Sequence, residues 1–110
     1  MGISEQDERG QPPTLADVLA ILREQAGTLR TRGILHAGVF GSIARGEATV
    51  ASDVDILVEI DYATGFGTMD LIELEERLAS MLGRRVDLVS VGGLKRGKHD
   101  AIRRDAVQAF

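Results

Sequence analysis

Hydrophobic residues recur along this chain with two periods, which divide it into predicted helices and strands. After Thr14, apolar residues recur every three or four positions toward Ala26, which predicts a helix that begins at an S/T-x-x-D/E cap. The apolar stripe of this helix comprises Leu15, Val18, Leu19 and Leu22. The segment 68–82 has the same period and precedes Gly83, which predicts a second helix capped by Thr68. Each helix therefore presents an apolar stripe to a core.

Three shorter apolar segments have the composition of β-strands. Ile34–Phe40 ends at Gly41-Ser42, and Asp53–Ile60 has β-branched residues at every second position. A third strand is predicted over Arg85–Val91, and a final short helix near Lys98–Ala109. The predicted order α-β-β-α-β-α indicates an α/β (α+β) domain.

Composition and charge narrow the class of protein. With 110 residues, of which 44% are hydrophobic, the chain fits one domain over 14–110, after a polar segment 1–13 that we expect to be a disordered tail. The net charge of −4 argues against binding of bulk nucleic acid through a basic face. The sequence contains no cysteine and no apolar run near the roughly 20 residues that cross a bilayer. We therefore expect a cytoplasmic protein that does not act in a membrane.

Two aspartates stand at the start of the second predicted strand. Asp53 and Asp55 would leave the same face of that strand, about 6.6 Å apart at roughly 3.3 Å per residue. If the third strand pairs beside the second, Asp87 lies about 4.8 Å away across the sheet. Carboxylates are preferred ligands of Mg²⁺ in phosphoryl-transfer sites. The three aspartates are therefore candidate metal ligands, the alternative being a polar outer face of two strands.

A candidate phosphate site precedes these aspartates. Gly41-Ser42 ends the first strand and opens a helical turn, where free backbone N–H groups favour an anion. Arg45 could add positive charge, although a surface ion pair with Glu47 or with one of the acidic residues explains it equally well. The segment is not a P-loop, because Glu47 and Ala48 stand where Lys and Ser or Thr are required.

The combined pattern resembles the signature of the polymerase-β-type nucleotidyltransferases, and most closely their minimal (MNT) branch. The residues that carry the resemblance are Gly41-Ser42, Arg45-Gly46, Ser52-Asp53-Val54-Asp55 and Asp87. The resemblance spans about Leu15–Val107, nearly the whole predicted domain. It implies the fold of that superfamily, a small mixed β-sheet with helices packed on one face.

The resemblance also implies residue roles. By position, Asp53 and Asp55 hold two Mg²⁺ ions, while Asp87 holds one of them and helps to activate an acceptor hydroxyl. The other implied residues bind a nucleoside triphosphate, with the glycine-serine pair at its β- and γ-phosphates. These nucleotide-binding residues are Gly41, Ser42, Arg45 and Ser52.

The acceptor is expected to come from another molecule, because little sequence follows Asp87 and larger transferases of this type hold the acceptor with an additional domain. In the minimal (MNT) branch that the sequence resembles, stand-alone members are often antitoxins paired with a helical HEPN-type toxin. Some of them transfer AMP from ATP to that toxin. We therefore expect a HEPN-type partner that accepts the nucleotide. The alternative is a non-catalytic antitoxin that neutralises its partner by contact. The sequence itself identifies neither the base nor the acceptor residue.

Overall fold

The computed structural model describes residues 11–93 and 96–110. Its helices are α1 Leu15–Glu24, α2 Ala26–Arg32, α3 Gly41–Ala44, α4 Thr68–Leu82 and α5 Arg96–Asp105. Its strands are β1 Ile34–Phe40, β2 Val54–Ile60, β3 Val86–Ser90 and β4 Val107–Gln108. Short 3₁₀ turns occupy Tyr62–Thr64 and Val91–Gly93. The first strand thus has the predicted bounds, and the other two predicted strands are present with slightly shorter ones.

The four strands form one mixed sheet in the order β3-β2-β1-β4. β1 is antiparallel to both β2 and β4, whereas β2 and β3 are parallel. The predicted pairing of the second and third strands is therefore confirmed. It places Asp55 directly beside Asp87 in the register of the two strands.

The sheet has one face packed against helices. Residues at alternate positions of β2, namely Val54, Ile56 and Val58, are at most 1% exposed. They belong to one apolar cluster with Leu22 of α1 and Leu78 of α4. The stripe predicted for the first helix is buried in the same cluster, because its members lie on one side of α1. Side chains at the intervening positions of β2 and β3 project from the opposite face, which we call the open face.

The first helical segment extends further along the chain than predicted and consists of two helices rather than one. α1 ends at Glu24, and α2 begins one residue after Gln25 and continues to Arg32. Gly27 does not end the helical segment, because the next apolar residue, Leu29, is 4% exposed and anchors α2 in the core. Gly33, with φ of 115°, provides the left-handed end.

The predicted cap of the long helix was wrong by one residue. Gly67 is the N-cap of α4, and its N–H donates to the carboxylate of Asp70 at 2.8 Å. Thr68 is therefore the first helical residue, and Gly83 ends the helix as predicted.

The predicted final helix over Lys98–Ala109 was also wrong at its C-terminal end. α5 ends at Asp105, and the chain then pairs with β1 as β4. Ala109 N–H donates to the carbonyl of Ala37 at 2.8 Å, and Arg23 Nε donates to the carbonyl of Ala109 at 2.9 Å. Strand pairing of Val107–Gln108 with β1 and these two bonds at Ala109 outweigh helical periodicity, so the element order gains a strand.

β3 lies at one edge of the sheet. An edge strand presents backbone N–H and C=O groups that its neighbour does not use. At Leu88 the N–H donates instead to the carboxylate of Glu75, which extends from α4, at 3.0 Å. The helix therefore satisfies one of the edge donors of this strand.

The predicted tail 1–13 is described only over its last three residues, since 1–10 lie outside the described part of the chain. The carbonyl of Gln11 accepts a hydrogen bond from the Arg84 guanidinium. The division at residue 14 therefore stays a prediction. No helix within residues 11–93 and 96–110 has the length and apolar composition that a membrane crossing requires.

Candidate active site

Three aspartates lie at the end of the sheet where β2 and β3 begin. Asp55 and Asp87 are paired in the parallel register, so both side chains leave the open face. Asp53 was predicted inside the strand but precedes β2, which begins at Val54. Asp53 and Asp87 are exposed, whereas Asp55 is half-buried. The structure thus brings together the three aspartates that the sequence identified.

Asp55 is the electrostatic centre of this group. Burial raises the pKa of Asp55 above its ordinary value, because a desolvated carboxylate favours its neutral form. The negative charges of Asp87 and Asp53 raise this pKa further. Arg45 acts in the opposite direction and lowers it. Asp53 and Asp87 therefore each repel the charge of Asp55, and a cation beside Asp55 would relieve that repulsion.

Gly41 brings the turn after β1 against Asp55. Its φ of 74° lies in the left-handed region that glycine adopts without strain. A Cβ atom at Gly41 would overlap Oδ2 of Asp55 and lie 3.1 Å from its Cγ. The sequence suggested only that glycine admits a phosphate. The structure shows that glycine here also admits the carboxylate of Asp55.

The helical turn α3 follows immediately. Ile43 is 2% exposed and fixes this turn to the core. The carbonyl of Gly41 accepts from Arg45 N–H at 3.1 Å, and that of Ser42 accepts from Glu47 N–H at 2.8 Å. Because α3 starts at Gly41, the amides of its first residues have no helical carbonyl to bond. The helical turn that Gly41-Ser42 predicted is therefore present beside Asp55, and binding of an anion to it stays a prediction.

Arg45 is held by two carboxylates. Its Nε donates to Glu47 at 2.8 Å and its Nη1 donates to Asp105 at 3.1 Å. These hydrogen bonds, with Glu47 first, raise the pKa of Arg45 above its ordinary value. The ion pair with Glu47 was one of the two interpretations that the sequence left open. The contact with Asp105 was not predicted, because nothing in the sequence places α5 beside this turn.

Ser52 has a local role in the structure. Its hydroxyl oxygen accepts from Thr49 N–H at 2.8 Å, and its own N–H donates to the Thr49 carbonyl at 3.0 Å. These bonds close the turn that leads into Asp53. A direct contact of Ser52 with nucleotide stays a prediction.

The carboxylates of the three aspartates are suitable ligands for a divalent cation, but their side chains are not arranged as a metal site in this structure. In residues 11–93 and 96–110, no three acidic or histidine side chains are already gathered closely enough to hold a metal ion. Asp53 and Asp87 are exposed, however, and can rotate toward Asp55 without displacing the core. Hard carboxylate oxygens that repel one another are a suitable donor set for Mg²⁺. Asp53, Asp55 and Asp87 would therefore hold the metal.

The open face also bears a cavity away from these carboxylates, of about 330 Å³. Its polar lining comes from His36, Glu59, Arg103 and Gln108. His36 is exposed at this cavity rather than beside the aspartates.

Comparison with known proteins identifies related sequences. The family model described as the nucleotidyltransferase domain matches residues 19–110. The chain is similar to the protein adenylyltransferase MntA of Thermococcus cleftensis. The two share 44% identity over 95 residues, which cover 86% of this chain and 94% of that protein.

Solved structures have the same fold. A structure provisionally assigned as a minimal nucleotidyltransferase has 36% identity and a TM-score of 0.72, with 86% of this chain and 95% of that chain covered. A chain of a toxin-antitoxin crystal structure with AMP-PNP has 25% identity and a TM-score of 0.67, over 80% of this chain and 72% of that one. A chain of the structure of the tri-AMPylated Shewanella oneidensis HEPN toxin in complex with MNT antitoxin has 22% identity and a TM-score of 0.60. The match covers 84% of this chain and 71% of that chain, and it supports the fold alone. The fold that the sequence resemblance implied is confirmed.

Proposed function

This chain belongs to the nucleotidyltransferase domain family, and we propose that it is a Mg²⁺-dependent enzyme that transfers AMP from ATP to a hydroxyl group of a partner protein. The observation that carries the proposal is the register of β2 and β3, which sets Asp55 beside Asp87 and next to the turn at Gly41. A phosphate-binding turn and a cluster of carboxylates are the two parts that a phosphoryl-transfer site needs.

The residues of the site divide the reaction between them. Backbone amides of α3 and the Ser42 hydroxyl bind the β- and γ-phosphates. Asp53 and Asp55, together with Asp87, would hold Mg²⁺, which when bound would neutralise charge on the attacking and leaving oxygens. Asp87 is exposed at the same end of the sheet and accepts the proton of the incoming hydroxyl. The acceptor oxygen bonds to the α-phosphorus, the bond to the bridging oxygen breaks, and pyrophosphate leaves.

The proposed partner is a helical HEPN-type toxin, which would make this chain the antitoxin of the pair. Support comes from two relatives, the adenylyltransferase MntA and a chain of the toxin-antitoxin structure with AMP-PNP. The choice of ATP rests on the same relatives. We place the reaction in the cytoplasm because ATP and such a partner are available there.

The experiment combines the purified chain, a HEPN-type protein encoded beside it, Mg²⁺ and each of four labelled nucleoside triphosphates. We expect label from ATP on the partner, a matching mass increment on one of its hydroxyl residues, and no transfer when Mg²⁺ is chelated. Complex formation and neutralisation of the partner without any nucleotide increment would contradict the proposal. That outcome would indicate an antitoxin that acts by contact.

A further inference from the structure

We propose that Asp105 is a positioning residue that holds the Arg45 guanidinium in a fixed orientation, so that Arg45 meets the triphosphate at the turn after β1. The inference rests on the proposed function, because it assumes that nucleotide binds at this turn. It assigns a role to the C-terminal helix α5, which lies far from the turn in sequence. Asp105 acts through Arg45, from which its carboxylate accepts a hydrogen bond.

The first step is the geometry of the guanidinium. Arg45 offers five N–H donors in a planar fork. Glu47 engages Nε and Asp105 engages Nη1, so two different edges of the fork are fixed by carboxylates. Donors on the Nη2 side then remain for an anion. A planar group held at two edges is ordered before its ligand arrives, which reduces the entropy lost on binding.

The second step is where this fork lies. Arg45 is the residue directly after α3, and its N–H donates to the carbonyl of Gly41 at 3.1 Å. Its side chain therefore starts from the phosphate-binding turn itself. A cation at that position faces the negative charge of a triphosphate and offsets the acidic cluster that would repel it.

The third step is the difference between the two carboxylates that hold Arg45, those of Asp105 and Glu47. Glu47 lies two residues from Arg45 and belongs to the same exposed loop, so it moves with that loop. Asp105 ends α5, and the next strand pairs with β1 at Val39. The bond from Arg45 to Asp105 therefore ties the loop to the sheet that carries Gly41.

The test measures Mg-ATP affinity by calorimetry and transfer to the partner by labelling. Asp105→Asn keeps the size of the side chain but removes its charge. We expect about a threefold to tenfold increase in Kd and KM for Mg-ATP, with a smaller change in kcat, as expected for loss of one exposed charge-assisted hydrogen bond. Asp100→Asn, an exposed aspartate on the same helix, should change neither value. Asp105→Glu should restore part of the affinity.

A double variant shows whether Asp105 acts through Arg45. In an Arg45→Gln background, Asp105→Asn should have no further effect on nucleotide affinity. An equal loss in both backgrounds, or an equal loss with Asp100→Asn, would overturn the proposal in favour of a general effect of charge or folding. If the wild-type chain binds Mg-ATP but labels no partner, the proposed function is refuted. The present inference is then still decided by the Mg-ATP affinities of the variants. Absence of Mg-ATP binding to the wild type would overturn both.

Discussion

The two faces of β2 have opposite energetic properties. Val54, Ile56 and Val58 are almost completely buried and contribute to stability through apolar packing. Asp55, between the first two of them in sequence, is desolvated and repelled by two like charges. One strand therefore stabilises the fold with one face, while the other holds an electrostatic cost that a bound cation would relieve. This difference predicts that stability and activity can be changed separately by substituting adjacent residues.

The largest expected effect comes from the open face. Asp55→Asn should lower AMP transfer by about 10²–10³-fold, because it removes the central charge of the proposed metal site. The fold should remain intact, as judged by circular dichroism. Glu59→Gln, on the same face of the same strand, is the matched control and should keep activity near that of the wild type. Equal activity of the Asp55 variant and the wild type would refute the proposed site.

The second effect comes from the packed face one residue away. Ile56→Ala should lower the free energy of unfolding by about 2–5 kcal/mol, because it removes a fully buried side chain and leaves a cavity. Urea unfolding measures the change. Protein that is still folded should bind Mg-ATP normally. A selective loss of nucleotide affinity in folded Ile56→Ala would show that the two faces are not independent.

A third variant tests the contact between the turn and the carboxylate. Gly41→Ala should destabilise the protein by about 1–3 kcal/mol, since it adds a strained backbone conformation, and should lower transfer because its Cβ displaces Asp55. Gly46→Ala is the control, because Gly46 has a φ of 75° but open space around its Cβ position. Equal loss of transfer in both variants would show that backbone strain alone, and not Asp55, explains the effect.

The smallest expected effect is on the pH dependence of stability. The pKa of Asp55 is raised in the folded state, so the folded protein binds its proton more tightly than the unfolded chain does. Ionisation of Asp55 therefore opposes folding: its cost is absent below the unfolded pKa of about 3.9 and reaches its full value above the folded pKa. Without metal, the Tm of Asp55→Asn minus that of the wild type should increase as pH rises through this window. A difference that stays constant or shrinks would contradict the inferred repulsion.

The sequence predicted which candidate residues lie at the same end of the sheet better than it predicted where the helices and strands end. The aspartates and Gly41-Ser42 could be found because their spacing follows from strand and turn geometry, which is local. Asp87 could be placed beside Asp55 because both strands are apolar and can pair in one sheet. The limits of β1 were predictable for the same reason, since a glycine ends its apolar run.

Features that depend on distant contacts could not be predicted. Asp105 reaches Arg45 because the chain after α5 pairs with β1 as the edge strand β4, and a strand of two residues has no readable period. The sequence predicted Gly41 only as part of an anion-binding turn. The closeness of the Asp55 carboxylate to Gly41 depends on the register between β1 and β2, which the sequence does not show. The cap of α4 is a local exception, because the Asp70 carboxylate accepts the N–H of Gly67, three residues before it, and so places the cap one residue before Thr68.

The bond from Glu75 to the edge of β3 has a consequence for assembly. An open edge strand allows another chain to extend the sheet, either in a specific complex or in an aggregate. The Glu75 carboxylate already accepts the N–H of Leu88, so an added strand would have to displace a charged side chain at the middle of this short edge. Sheet extension beside the candidate metal ligand Asp87 is thereby disfavoured. Under the proposed function, this would keep the end of the sheet where the acceptor hydroxyl enters clear of a bound strand.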